Sequence, residues 1–92
     1  MERAGRGSIV NISSTAGLHG SSNAVAFGGT RWAVRGMAKA AALDPAPRGI
    51  RVNSVHPGPT DTPMLDIRTP EQNARREQAV PTRRFGTAEE VA

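Results

Sequence analysis

Residues 27–44 read FGGTRWAVRGMAKAAALD, and the fold turns on whether this stretch is a helix. It lies in an alanine-rich run from Ala24 to Leu43, and alanine is the best helix former. Ser22 or Asn23 could cap the start. Asp44-Pro45-Ala46-Pro47 stops the run, because proline cannot continue a helix and disfavours the helical conformation before it. Gly28, Gly29 and Gly36 sit inside the run, each at a cost of roughly 1 kcal/mol relative to alanine. Gly29, Ala33, Gly36 and Ala40 form a small-residue stripe that suits close packing against a strand or a second helix.

Working outward, Ser8–Ser13 (SIVNIS) is a short β-branched run and reads as a buried strand. The serine-, glycine- and asparagine-rich stretch from Ser14 to Asn23 reads as a loop. Downstream, residues 50–56 alternate as a second strand, with Ile50, Val52 and Ser54 on one face and Asn53 and Val55 on the other. Pro57-Gly58-Pro59 ends it. Strand, helix and strand with a single crossover make a βαβ unit, so the two strands should be parallel. Residues 60–86 are polar, with a weak helical stretch around Pro70–Ala79. Thr87, with Glu90 three residues on, has the spacing of a capping box and begins a last helix over residues 87–92. The fold class expected is α/β: one partial Rossmann-like segment over residues 1–92, with C-terminal helical pieces.

Composition narrows the function. Ninety-two residues allow one domain. Only 20 are Val, Ile, Leu, Met, Phe or Trp, against 14 Ala, so the core is thin, and no cysteine staples it. No apolar run approaches a membrane span and no signal peptide is visible, which gives the expectation of a cytoplasmic protein. The formal charge of +4 comes mostly from scattered arginines, with Phe27, Trp32 and Phe85 the only aromatics. No nucleic-acid motif is present, so neither nucleic acid nor membrane is an expected partner, and no metal site is expected.

Three ordered motifs resemble the C-terminal half of the short-chain dehydrogenase/reductase family. Residues 7–17 (GSIVNISSTAG) look like its strand carrying the catalytic serine. Residues 27–44 look like its active-site helix. Residues 50–64 (IRVNSVHPGPTDTPM) look like its next strand, Pro-Gly loop and Thr-x-Met, in the manner of the hydroxysteroid dehydrogenase and 3-oxoacyl reductase branch. The resemblance implies that Ser14 holds a substrate carbonyl, that Pro57 and Gly58 form the cofactor loop, and that Thr62 meets the carboxamide of NAD or NADP. Phe27, 13 residues after Ser14, takes the place of the family's proton-transferring tyrosine, and Arg31 that of its lysine. A phenyl ring passes no proton. Arg31 keeps a positive charge that can bond a ribose, but as a planar fork.

The glycine-rich pyrophosphate turn does not occur in residues 1–92. The expectation is therefore a truncated family member, a pseudoenzyme inactive alone, with cofactor binding impaired. Two alternatives stay open. The chain could be an interaction module that forms a homo-oligomer through the helix at residues 24–43. It could instead be a small serine hydrolase using Ser14 with His19 or His56, although no G-x-S-x-G elbow surrounds Ser14.

Overall fold

The computed structural model describes residues 1–92, and the chain divides into two compact units, Met1–His56 and Pro57–Ala92, where the sequence was read as one segment. The first unit holds strand β1 (Gly7–Ile12), helix α1 (Val25–Leu43) and strand β2 (Ile50–Val55). The strands pair in parallel, from Gly7 opposite Ile50 to Ile12 opposite Val55, as the single-crossover pattern requires. A 3-10 turn, Thr15–Gly17, follows β1, and another, Ala46–Arg48, leads from α1 into β2. That second turn closes on Gly49 at φ 73, a left-handed conformation that glycine adopts without strain. Arg48 also forms an ion pair with Glu2.

Strand parity sets the two faces of the sheet. Ile50 and Val52 point to the face packed by α1 and are 7% and 8% exposed. Ser54 continues that face, half-buried. Val10, Ile12 and Val55 lie on the opposite face and remain exposed. The first strand is one residue earlier than the sequence suggested. Ser13 still donates its N–H to Val55 O at 2.8 Å, but its side chain turns to the helix. The second strand ends at Val55 rather than residue 56, because Pro57 has no N–H to extend the ladder.

Helix α1 departs from the sequence reading in two ways. Its N-cap is Ala24, with no side-chain cap bond, because Asn23 takes a left-handed φ of 56 rather than the extended conformation of a capping residue. The side it turns to the sheet is also not the bulky one. Ala38, 3% exposed, is the one buried residue of the helix, with Arg31, Val34, Arg35 and Ala42 half-buried around it. Val25, Trp32 and Met37 are exposed. Gly29, Ala33, Gly36 and Ala40 are exposed too, and a Cβ on Gly29 or Gly36 would meet only open space. The stripe packs against nothing within the chain.

The second unit is mostly turns and short helices. A 3-10 helix runs over Pro63–Ile67, α2 over Pro70–Ala79 and α3 over Ala88–Val91. Thr69 and Gln72 close a capping box on α2, with Pro70 in its first turn. Thr87 and Glu90 close a second one on α3. A parallel bridge between Thr60 and Gly86 ties the start of the unit to the approach to α3. Asn73 Nδ2 donates to Leu65 O at 2.9 Å and holds α2 against the 3-10 helix. No helix of the chain is long and apolar enough to cross a membrane.

Candidate functional site

Ser14 sits where β1 has ended and the backbone turns. It caps the Thr15–Gly17 turn, and its Oγ accepts a hydrogen bond from Ala16 N at 3.1 Å. A hydroxyl has one donor and two acceptor positions, so this bond leaves the Ser14 O–H free to donate outward. The Ser14 carbonyl accepts from Gly17 N at 2.9 Å and makes a second contact, at 3.0 Å, with Nδ1 of His56. Ser13 is the buried serine of the pair, and its Oγ donates to the α1 carbonyl of Arg31 at 2.9 Å. Gly17 permits this approach: a Cβ there would lie 2.8 Å from Arg31 O and 2.9 Å from Ser13 Oγ.

On α1, Phe27 and Arg31 are one turn apart and therefore share a face. The Arg31 guanidinium carbon lies 4.8 Å from the centroid of the Phe27 ring, a cation–π stack. Phe27 is 37% exposed and so is a partly open platform beneath the arginine. Arg31 is half-buried rather than a solvated surface residue, and its Nε is enclosed without an acceptor.

The hydrolase arrangement does not form. His56 reaches the main-chain carbonyl of Ser14 and not its hydroxyl, and His19 Nδ1 meets Gly20 O at 3.0 Å. Neither imidazole is placed to take the Ser14 proton. The hydroxyl that His56 does meet is that of Ser54, at 3.0 Å from Nε2.

Pro57, Gly58 and Thr62 belong to the second unit. Thr60 Oγ1 donates to Gly58 O at 3.1 Å, and Gly86 N donates to Pro59 O at 3.0 Å, which fixes the path after β2. Thr62 is the N-cap of the Pro63–Ile67 turn and makes no side-chain cap bond, so its hydroxyl is not used to start that turn. Electrostatic perturbation in this unit lies elsewhere. Burial, and then the charge of Arg68, lower the affinity of Arg76 for its proton. Glu90 is held down to about 2 by hydrogen bonding from Arg84, helped by the Thr87 N–H.

The residues fit one end of a nicotinamide dinucleotide. The free Ser14 O–H suits a carbonyl oxygen and the Arg31 charge a sugar hydroxyl, while no glycine-rich turn for the pyrophosphate occurs in residues 1–92. Ser13, Gly17 and Ser54 were not singled out by sequence reasoning. The one signal for Ser54 is its spacing of two from His56, which puts both side chains on one face of a strand.

Known proteins resemble the chain along its whole length. A family model described as enoyl-(acyl carrier protein) reductase matches residues 1–92. The 3-alpha-(or 20-beta)-hydroxysteroid dehydrogenase of Mycobacterium tuberculosis is 54% identical over 66 residues, covering 72% of this chain and 25% of that protein. The crystal structure of 3-oxoacyl-[acyl-carrier protein] reductase from Brucella melitensis superposes with a TM-score of 0.90 at 40% identity, covering 99% of this chain and 34% of that one. A tyrosine-to-phenylalanine variant of ElxO with NADPH bound superposes with a TM-score of 0.85 at 35% identity, covering 99% and 38%. The chain thus spans a quarter to two fifths of the proteins it matches.

Proposed function

The chain belongs to the short-chain dehydrogenase/reductase family, and from that premise we propose that residues 1–92 form the carbonyl- and ribose-holding part of an NAD(P)-linked oxidoreductase site that lacks its proton-transfer group. The observation that carries the reading is the Phe27–Arg31 stack, 4.8 Å from guanidinium to ring centroid. Ser14 donates its free O–H to a carbonyl oxygen. Arg31, its guanidinium resting on Phe27, keeps a positive charge that can bond a ribose hydroxyl. Pro57, Gly58 and Thr62, in the second unit, hold the places that the family resemblance gives to the cofactor loop and the carboxamide contact. NAD or NADP, when bound, supplies the hydride. Phe27 supplies nothing to the proton inventory. General acid–base help is commonly worth 10²–10⁴-fold, so the chain acting alone has negligible turnover. The substrate class is a ketone or alcohol on a ring or an acyl chain, as the hydroxysteroid and 3-oxoacyl relatives suggest. NADPH is bound to a tyrosine-to-phenylalanine variant of ElxO, which supports NADPH as a cofactor candidate here.

The test is cofactor oxidation by the purified chain with cyclic ketone, steroid and 3-oxoacyl substrates. No activity above background is expected, and Phe27→Tyr combined with Arg31→Lys does not restore it, because the pyrophosphate still has no glycine turn. Turnover by the wild-type chain that disappears in Ser14→Ala would overturn the reading.

A second reading rests on a separate observation, the open stripe of Gly29, Ala33, Gly36 and Ala40 along α1. Small residues let two backbones approach closely. An isologous dimer through α1 would cover the stripe and give its glycines the close contact they lack in the single chain.

A further inference from the structure

We propose that His56 is a positioning residue: its imidazole, with Ser54 on one nitrogen, clamps the main-chain carbonyl of Ser14 and thereby fixes the direction of the Ser14 hydroxyl. The protonation pattern follows from what each partner can do. A carbonyl oxygen only accepts, so the 3.0 Å contact between His56 Nδ1 and Ser14 O requires Nδ1 to carry the hydrogen. In the neutral ring Nε2 is then the acceptor, and the Ser54 hydroxyl at 3.0 Å is its donor. Ser54 lies in β2 and His56 just past its end, and their side chains meet at 3.0 Å. The clamp spans 42 residues of sequence and joins the end of β2 to the turn after β1.

The effect on Ser14 is geometric. Its carbonyl has two lone pairs, and two donors fill them: His56 Nδ1–H and, at 2.9 Å, the N–H of Gly17. Its Oγ accepts from Ala16 N, and the preceding Ser13 N–H is held by Val55 O at 2.8 Å. With the peptide group that follows Ser14 pinned at its carbonyl and Oγ held by Ala16 N, the Cα–Cβ bond of Ser14 has one direction. That direction sets where the free O–H can donate. The consequence for a bound carbonyl rests on the role given to Ser14 above. The clamp itself does not, since it needs neither cofactor nor turnover.

Two near-isosteric substitutions separate the clamp from simple space filling. Asparagine places its amide nitrogen near the position of Nδ1, so His56→Asn keeps a donor for Ser14 O. Glutamine places it near Nε2, so His56→Gln loses that donor. The experiment uses the 15N-labelled 92-residue chain. Long-range proton–nitrogen correlation reads the tautomer of His56, with His19 as the internal comparison, and amide hydrogen exchange reads Ala16 and Gly17. We expect the Nδ1–H tautomer in the wild type. Exchange at both amides should be roughly 5- to 10-fold faster in His56→Gln, in line with one lost hydrogen bond, and within about twofold of wild type in His56→Asn. Ser54→Ala should keep the tautomer and shift only the Nε2 resonance. An Nε2–H tautomer in the wild type, wild-type exchange in His56→Gln, or equal loss in His56→Asn and His56→Gln overturns the proposal. If His56→Gln fails to fold, the wild-type and Ser54→Ala spectra decide alone. Turnover by the wild-type chain that disappears in Ser14→Ala would sink the proposed function and leave this result untouched.

Discussion

Replacing Gly17 with alanine tests whether the Ser14 turn and helix α1 are one packed unit. The added Cβ would stand 2.8 Å from Arg31 O, 3.0 Å from Arg31 C and 2.9 Å from Ser13 Oγ. The first two are backbone atoms in the middle of a helix and cannot swing away. Overpacking of this kind costs about 1–3 kcal/mol. Relief by pushing Ser13 aside would break its 2.9 Å bond to Arg31 O, at roughly another 1 kcal/mol. The sum of about 2–4 kcal/mol is a large part of the roughly 5–14 kcal/mol that a chain of this size commands. Melting followed by circular dichroism should fall by about 8–30 °C, taking 4–8 °C per kcal/mol. The sign is the sharp part. Where alanine fits, Gly→Ala stabilises by about 0.4–1 kcal/mol through the unfolded state. Ser13→Ala, which removes the bond and adds no atoms, should cost less than Gly17→Ala. A Gly17→Ala chain that melts within about 2 °C of wild type, or above it, would refute the packing argument.

Gly36→Leu should leave the single chain intact or slightly more stable, since Gly36 faces open space and leucine is the better helix former by up to about 1 kcal/mol. If α1 pairs with a second copy, sedimentation should show the dimer of the wild type abolished in this variant; a wild-type monomer at high micromolar concentration, or a dimer that survives Gly36→Leu, argues against pairing there. Glu90 gives a pH prediction. Its carboxyl is held at about 2, below the 4.5 of the unfolded chain, so its contribution is fully present above pH 4.5 and is lost as pH falls toward about 2. Exchange of the Thr87 amide should quicken over that window and Glu90→Gln should flatten the change; salt should blunt it, because the Arg84–Glu90 pair is solvent-exposed.

How much of this was legible depended on the range of the interaction. Helix α1 could be read because its signals are local: alanine content and a double proline stop. The Thr87–Glu90 capping box was legible for the same reason, two side chains three residues apart. The inward face of α1 was not, because the residue it buries is Ala38 while Val25, Trp32 and Met37 stay outside. A hydrophobic stripe is a weak guide when the packed side is made of small residues that let a helix lie close to a sheet. Phe27 and Arg31 could be placed on one face from a spacing of four. Their stacking, and the enclosure of Arg31 Nε, depend on how far α1 is tucked against the Thr15–Gly17 turn, and no periodicity encodes that distance.

The same distance links stability to chemistry in the first unit. Ser13 holds the Arg31 carbonyl, Gly17 sets how near that carbonyl can come, and His56 holds the carbonyl of Ser14 between them. Each contact joins the end of a strand to an element far away in sequence, and together they place the Ser14 hydroxyl and the Arg31 side chain. Few large apolar groups are buried: Ala16, Ala38, Ile50 and Val52 make up the core, and the Val10, Ile12 and Val55 side of the sheet is uncovered. Hydrophobic burial therefore contributes little to fixing the site, and polar contacts at the carboxyl ends of the strands carry more of that task. A change that loosens one of them should be felt first as lost order around Ser14 and only later as unfolding of α1. The loss of a phenol at Phe27 works differently. Under the function proposed above, phenylalanine at this position supplies no proton while its ring supports Arg31, so the arginine would keep its place where acid–base chemistry is missing.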